Sequence, residues 1–118
     1  METQLVNASD KCNHNVITNY FLHWNEQNIS ELEKLFHEEV ILKDWDGTYS
    51  GVQDVLAANK AIFELYPKIN ISIKHCFQSK DKVAVQLLIK LSDQVTIDVV
   101  DIIEIDSGRI VSVTAYKC

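Results

Sequence analysis

The spacing of apolar residues changes period along the chain. Between about Ser9 and Asn25, Val16, Ile17, Tyr20, Phe21 and Trp24 recur at helical spacing, with Ser9 as the expected N-cap. Ser30-Glu31-Leu32-Glu33 has the form of a capping box and predicts a short helix that buries Leu32, Leu35 and Phe36. A strand is expected over about Val40 to Trp45, closed by the turn signal Asp46-Gly47. Val52, Val55, Leu56, Ile62, Phe63 and Tyr66 then form one stripe of a helix over about Gly51 to Tyr66, which Pro67 ends.

From Ile69 onward the period is two. Ile69, Ile71, Ile73, His75 and Phe77 are expected on one face of a strand, and Val83, Val85, Leu87, Ile89 and Leu91 on one face of the next, after a turn at Ser79-Lys80-Asp81. A third strand aligns Val95, Ile97, Val99, Asp101, Ile103 and Ile105, and Asp106-Ser107-Gly108 leads into a last strand from Arg109 to Tyr116. Short loops between strands make hairpins, and such a sheet buries one face under helices. The expected class is α+β. A curved, mostly antiparallel sheet wraps helices and leaves a cone-shaped internal pocket, in a single domain over residues 1–118.

Composition and charge narrow the function. Eleven Lys and Arg against 17 Asp and Glu give −6, which provides no field for a phosphate backbone, so no nucleic-acid partner is expected. A hydrophobic small molecule suits this balance better. Met1 to Asp10 is polar, and no apolar run approaches the roughly 18 residues of a membrane span, so a soluble cytoplasmic protein with no membrane contact is expected. Cys12, Cys76 and Cys118 form no C-x-x-C and are read as reduced, with Cys76 a small core residue and Cys118 a loose terminal thiol.

Candidate chemistry lies where polar side chains fall on apolar faces, because an unpartnered buried charge is costly. Asp101 interrupts an inward apolar row, where desolvation should favour the neutral acid. Asp44 shares a strand face with Val40 and Leu42 at the strand end, where it either faces a pocket or caps the following turn. Tyr20 sits in the stripe of the first helix as either a core phenol or a donor. Together a phenol, a neutral acid and a carboxylate suit proton abstraction beside a carbonyl, with two donors holding the enolate oxygen. Asn59 interrupts the stripe of the long helix as a pocket donor or a satisfied core amide. His75 reads as a core histidine, and His14, His23 and His37 read as helix-surface residues. The histidines lack metal-ligand spacing, and neither G-x-G-x-x-G nor a P-loop occurs, so neither a metal nor a cofactor is expected.

Two stretches carry a family likeness. The segments Phe36 to Gly47, with Gly51 behind, and Ile97-Asp98-Val99-Val100-Asp101-Ile102-Ile103, running on to Gly108-Arg109-Ile110 and Ala115-Tyr116, resemble the NTF2-like (SnoaL-like, cystatin-like) α+β cone superfamily. Within it they look most like the bacterial steroid delta-isomerases, and the likeness extends over about Val16 to Lys117. It implies Tyr20 as an oxyanion-hole tyrosine, Asp44 as the general base 24 residues on, and Asp101 as a protonated acid giving the second hydrogen bond, as ketosteroid isomerases keep such an acid. Asn59, Trp45, Phe36 and Lys117 are the implied substrate-binding positions, and a homodimer through the outer sheet face, with Val100 and Ile102 on it, is implied too. Three departures stand out: Asn59 replaces a supporting tyrosine, Lys117 stands where a pocket tryptophan can occur, and Trp45 replaces a proline. An inward Lys117 would favour ionised Asp101. The alternatives are a non-catalytic binding or oligomerisation module, with Asp101 solvated or ion-paired and a plugged pocket, and a cyclase, dehydratase or hydrolase. A dehydratase or hydrolase would want a histidine such as His75 beside Asp44.

Overall fold

The computed structural model describes residues 14–118. Helix α1 (Asn15–Asn25) is capped by His14, whose Nδ1 accepts from the Val16 N–H at 3.2 Å, so the described helix starts well after Ser9, which lies outside the described residues. Helix α2 (Ile29–Leu35) is capped by Asn28, whose side chain accepts from the Glu31 N–H at 3.2 Å. The cap is therefore Asn28 with Glu31 at N3, two residues before the expected Ser30. The left-handed φ of 56° at Gln27 ends α1 early enough to free Asn28 for that task.

Strand β1 (Phe36–Lys43) follows α2 directly, so His37 lies on a strand, beside Glu38 and Glu39, rather than on a helix surface. A short β2 (Thr48–Ser50), which periodicity does not announce, pairs antiparallel with β1. Helix α3 (Val52–Leu65) opens at Gly51, whose φ of 89° suits glycine better than any side chain. Strands β3 (Asn70–Ser79), β4 (Lys82–Lys90), β5 (Thr96–Asp106) and β6 (Arg109–Lys117) complete one sheet of order β2-β1-β6-β5-β4-β3. Only β1 and β6 run parallel among these neighbours. Ser107 and Gly108 both have positive φ, as a type I′ hairpin between β5 and β6 requires.

Two expected faces need correction. The β3–β4 register shifts between Ile73 and His75, and one extra residue reverses the alternation. Cys76 therefore takes the inward phase opposite Val85, whereas His75 and Phe77 face outward, Phe77 at 63% exposure. Val95 precedes β5 and is exposed. The thiol expectation also changes. Cys76 is disulfide-bonded, which reduced cytosolic chains rarely show, whereas Cys118 is free and exposed. Cys12 lies outside the described residues.

The inward face of the sheet has two parts. Val83, Val85, Leu87, Ile103, Ile105 and Ile110 pack with Ile17, Leu32, Val40 and Val55 into a closed core. Further along the same strands, Ile89, Ile97, Val99 and Val113 face a cavity under α1 and α3. Asn25 joins helix to sheet: its Nδ2 donates to the Ile71 carbonyl at 2.9 Å, and its Oδ1 accepts from the Ile71 N–H at 2.8 Å. This satisfies a backbone pair on the edge strand β3.

Candidate functional site

The cavity has a volume of about 320 Å³, near the lower end of the roughly 300–1,000 Å³ typical of small-molecule sites. Its wall is mostly aliphatic and aromatic, and Tyr20, Asp44, Asn59 and Asp101 all reach it. On the sheet side it is lined by Ile89, Ile97, Val99, Val113 and Ala115, where α1 and α3 cover the sheet only in part.

Asp101 comes from β5 and is 6% exposed. In register it stands between Val85 and Ala115, with Val99 and Ile103 before and after it on the same face, so every strand neighbour on that face is apolar. Burial alone pushes its carboxyl up to about 7, because the apolar wall penalises the charge. Tyr20 comes from α1, and its ring packs edge-on against Phe21 at 4.9 Å and Phe36 at 5.8 Å. Burial, and then the charge of Asp101, hold its phenol well above the ordinary value. The two groups thus lie within electrostatic reach, and both favour the protonated form. Neither side chain makes a hydrogen bond to the described residues, and both line the cavity.

Asp44 follows β1 and is half-buried. Its Oδ1 accepts from the Asp46 N–H at 2.8 Å and the Gly47 N–H at 2.9 Å, while its own N–H donates to the Gly47 carbonyl at 2.9 Å. The turn-capping reading and the cavity reading therefore hold together: one oxygen fixes the turn and Oδ2 is unbonded among the described residues. Asn59 is 3% exposed, and its Oδ1 accepts from Trp24 Nε1 at 3.3 Å, while Nδ2 is buried without a partner. Such a group costs roughly 1–3 kcal/mol if left unpaired.

The remaining substrate-binding expectations divide. Trp45 and Lys117 line the cavity, with Lys117 Nζ 5.5 Å from the centre of the Trp45 ring. Phe36 does not line it. It is a core residue behind Tyr20, because β1 begins there and pairs it with Ile110. No histidine lines the cavity, and the bulge turns His75 outward on β3, at the opposite end of the sheet from β1. Trp24, a member of the apolar stripe of α1, also borders the cavity, and its indole N–H, which can only donate, finds its acceptor in Asn59. Among the described residues there is no cluster of His, Cys, Asp and Glu fit for a metal, and no helix long and apolar enough to cross a membrane.

Among the described residues, an unclosed, curved six-stranded sheet around three helices, with an apolar cavity holding a few inward polar groups, defines the cystatin-like α+β cone. The model of the SnoaL-like domain matches residues 17–113, and the chain belongs to that family. No curated protein matches it. Among solved structures it is similar to a candidate polyketide cyclase from Sinorhizobium meliloti, with a TM-score of 0.80 at 16% identity over 86% of this chain and 93% of that one. It is also similar to a candidate ketosteroid isomerase from Kribbella flavida, with a TM-score of 0.78 at 20% identity over 89% and 76%. An NTF2-like protein of unknown function from Cytophaga hutchinsonii gives 0.77 at 16% identity over 100% and 95%. At these identities the likeness speaks for the fold.

Proposed function

We propose that this chain is an acid–base isomerase that moves a proton on a hydrophobic carbonyl compound without a cofactor. Asp44 removes a proton from the carbon beside the carbonyl, and the C–H electron pair moves into an enolate. Tyr20 and neutral Asp101 donate hydrogen bonds to the enolate oxygen, and Asp44 returns the proton to a carbon further along the conjugated system. The observation that carries this reading is a buried carboxylic acid, shifted to about 7, facing the same cavity as an unbonded phenol and a half-buried carboxylate. A plain binding module would call for an ion-paired or solvated Asp101 and a plugged pocket, and neither is present.

A second reading has specific support. In a cyclase the same base forms the enolate, which then attacks another carbonyl of the same molecule. Membership of the SnoaL-like family and the fold shared with a candidate polyketide cyclase favour it. A histidine-assisted dehydratase or hydrolase loses ground because His75 faces away from the cavity.

The test is isomerisation of a β,γ-unsaturated 3-ketosteroid by the wild type and by Asp44→Asn. The expected result is a measurable wild-type rate and a variant slower by about 100-fold or more. An unmeasurable wild-type rate removes the steroid substrate, and equal rates remove Asp44 as the base. The reading includes a homodimer through the outer sheet face. Half-buried Val100 and Ile102 lie there with exposed Phe77 and Tyr116, and Ile102→Glu is expected to elute as a monomer in size-exclusion chromatography. A wild type that itself elutes as a monomer would overturn this part.

A further inference from the structure

The cavity wall is chemically divided along the sheet. Its charged or titratable acids and its one lysine, Asp44, Asp46, Asp101 and Lys117, come from the loop after β1, from β5 and from β6. The part contributed by the end of α3, by β3 and by β4, with the residues flanking those strands, holds no charge. Ile62, Leu65, Ile69, Ile71, Ile89 and Leu91 line it, and the Tyr66 hydroxyl is its one polar side-chain group. In the sheet order β2-β1-β6-β5-β4-β3 the strand of Asp101 stands at the boundary, and the apolar part extends two strands beyond it. That is about 10 Å across the sheet, at the usual strand spacing. Along the strands, the Ile97–Ile89 pair lies four residues from the Asp101–Val85 pair, about 13 Å away.

The lining residues that stand in solvent fall into two groups. Trp45, Asp46 and Lys117 form one, with Lys117 Nζ over the Trp45 ring and charges of both signs. Leu65 is the other. It is 68% exposed in the last turn of α3, on the β3 side, where the Ile69 N–H donates to the Tyr66 carbonyl at 3.0 Å. A leucine that borders a cavity and is mostly in water still has apolar surface for a ligand to cover. We propose that the substrate is a carbonyl compound with a long, unfunctionalised hydrocarbon tail, which runs along the β3–β4 side and is covered at its outer end by Leu65. A charged or hydroxylated tail would bury its polar group against a wall with almost nothing to pair it. This rests on the reading of Tyr20 and Asp101 as the station for the reacting oxygen.

The experiment titrates the full chain with phenols, which present an enolate-like oxygen, carrying para ethyl, butyl, hexyl or octyl chains. Both tryptophans, Trp24 and Trp45, border the cavity, so indole fluorescence reports binding. In the wild type the affinity is expected to rise about three- to fourfold per methylene through to octyl. Leu65→Gln keeps a good helix former at an exposed position and is expected to lower the octyl-to-ethyl affinity ratio about threefold or more. An affinity that levels off at butyl, or a ratio unchanged in Leu65→Gln, overturns the inference. So does an octyl chain ending in a carboxylate that binds more tightly than plain octyl and loses that gain in Lys117→Met, because the tail would then leave beside Trp45. Tyr20→Phe separates the two readings. It should weaken every phenol by a common factor and leave the ratio unchanged. If it weakens none, the oxygen station fails, and the octyl-to-ethyl ratio still reports on Leu65 alone.

Discussion

Lys117 stands over the indole of Trp45, its Nζ 5.5 Å from the ring centre, although its strand register places it on the inward face. It pairs with Val99, one step beyond the Asp101–Ala115 pair, so its backbone is only about 7 Å along the strands from the acid. An ammonium turned inward at that range would favour the carboxylate. Stacked on Trp45 and exposed, it leaves burial as what governs Asp101.

Trp45→Ala therefore tests a long-range effect of a rim residue. Without the ring Lys117 loses a cation–π contact worth about 0.5–1 kcal/mol at an exposed site and is free to swing inward. Under the proposed mechanism the alkaline limb of the pH–rate profile follows Asp101, and it is expected to move to lower pH. Adding Lys117→Met should move it back. A profile unchanged in the single variant would show that Lys117 does not reach the acid.

Asp101 also makes stability depend on pH. Its folded value of about 7 lies above the ordinary 3.8, so the folded chain keeps a proton that the unfolded chain has released. The stabilisation from this group is complete below about 3.8, declines as pH rises, and is gone above about 7. On the order of 4 kcal/mol separates these limits. Between about pH 5 and pH 8, urea unfolding of the wild type should lose roughly 3 kcal/mol more than that of Asp101→Asn, which has no proton to lose. Parallel curves for the two proteins would contradict the burial of the acid.

At Asp44 the two roles can be separated by choice of side chain. Asp44→Asn keeps an Oδ1 for the Asp46 and Gly47 N–H groups and should melt close to the wild type. Asp44→Ala removes both bonds and is expected to cost about 1 kcal/mol or somewhat more. Thermal denaturation of the pair distinguishes them. Equal losses would mean that the charge, not the turn, carries the stability.

Asn25→Ala should act through the backbone of Ile71. Both the N–H and the carbonyl of that residue lose a partner at 2.8–2.9 Å, and because β3 is an edge strand water restores part of the loss. About 1–2 kcal/mol of destabilisation is expected, read as a shift in the urea midpoint at constant slope. A variant as stable as the wild type would show that this tie between α1 and β3 is dispensable.

Much of the architecture could be read from period alone, and the exceptions have local causes. The row of β5 carried Asp101 to the inward face because each strand residue alternates. The same rule failed on β3, where a single extra residue near Lys74 reversed the phase and turned His75 out. No side-chain pattern announces such a bulge. β2 carries no readable period because three residues are too few, and the cap of α2 is ambiguous in sequence because Asn28 and Ser30 are both good N-caps.

The amino-acid order by itself determined which face each residue takes: turn chemistry and alternation put Tyr20, Asp44, Asn59 and Asp101 toward the interior. It could not determine which part of the interior is filled. Asp101 and Ile103 share a face and a period, yet one borders a cavity and the other is packed solid, because α1 and α3 close over only part of the sheet. Phe36 falls behind Tyr20 instead of beside a ligand for the same reason. The directions of Lys117 and of the Asn59 amide were likewise settled by partners 72 and 35 residues away along the chain, Trp45 and Trp24. Local sequence sets the orientation of a side chain to its own backbone; what that side chain then meets depends on packing between distant segments.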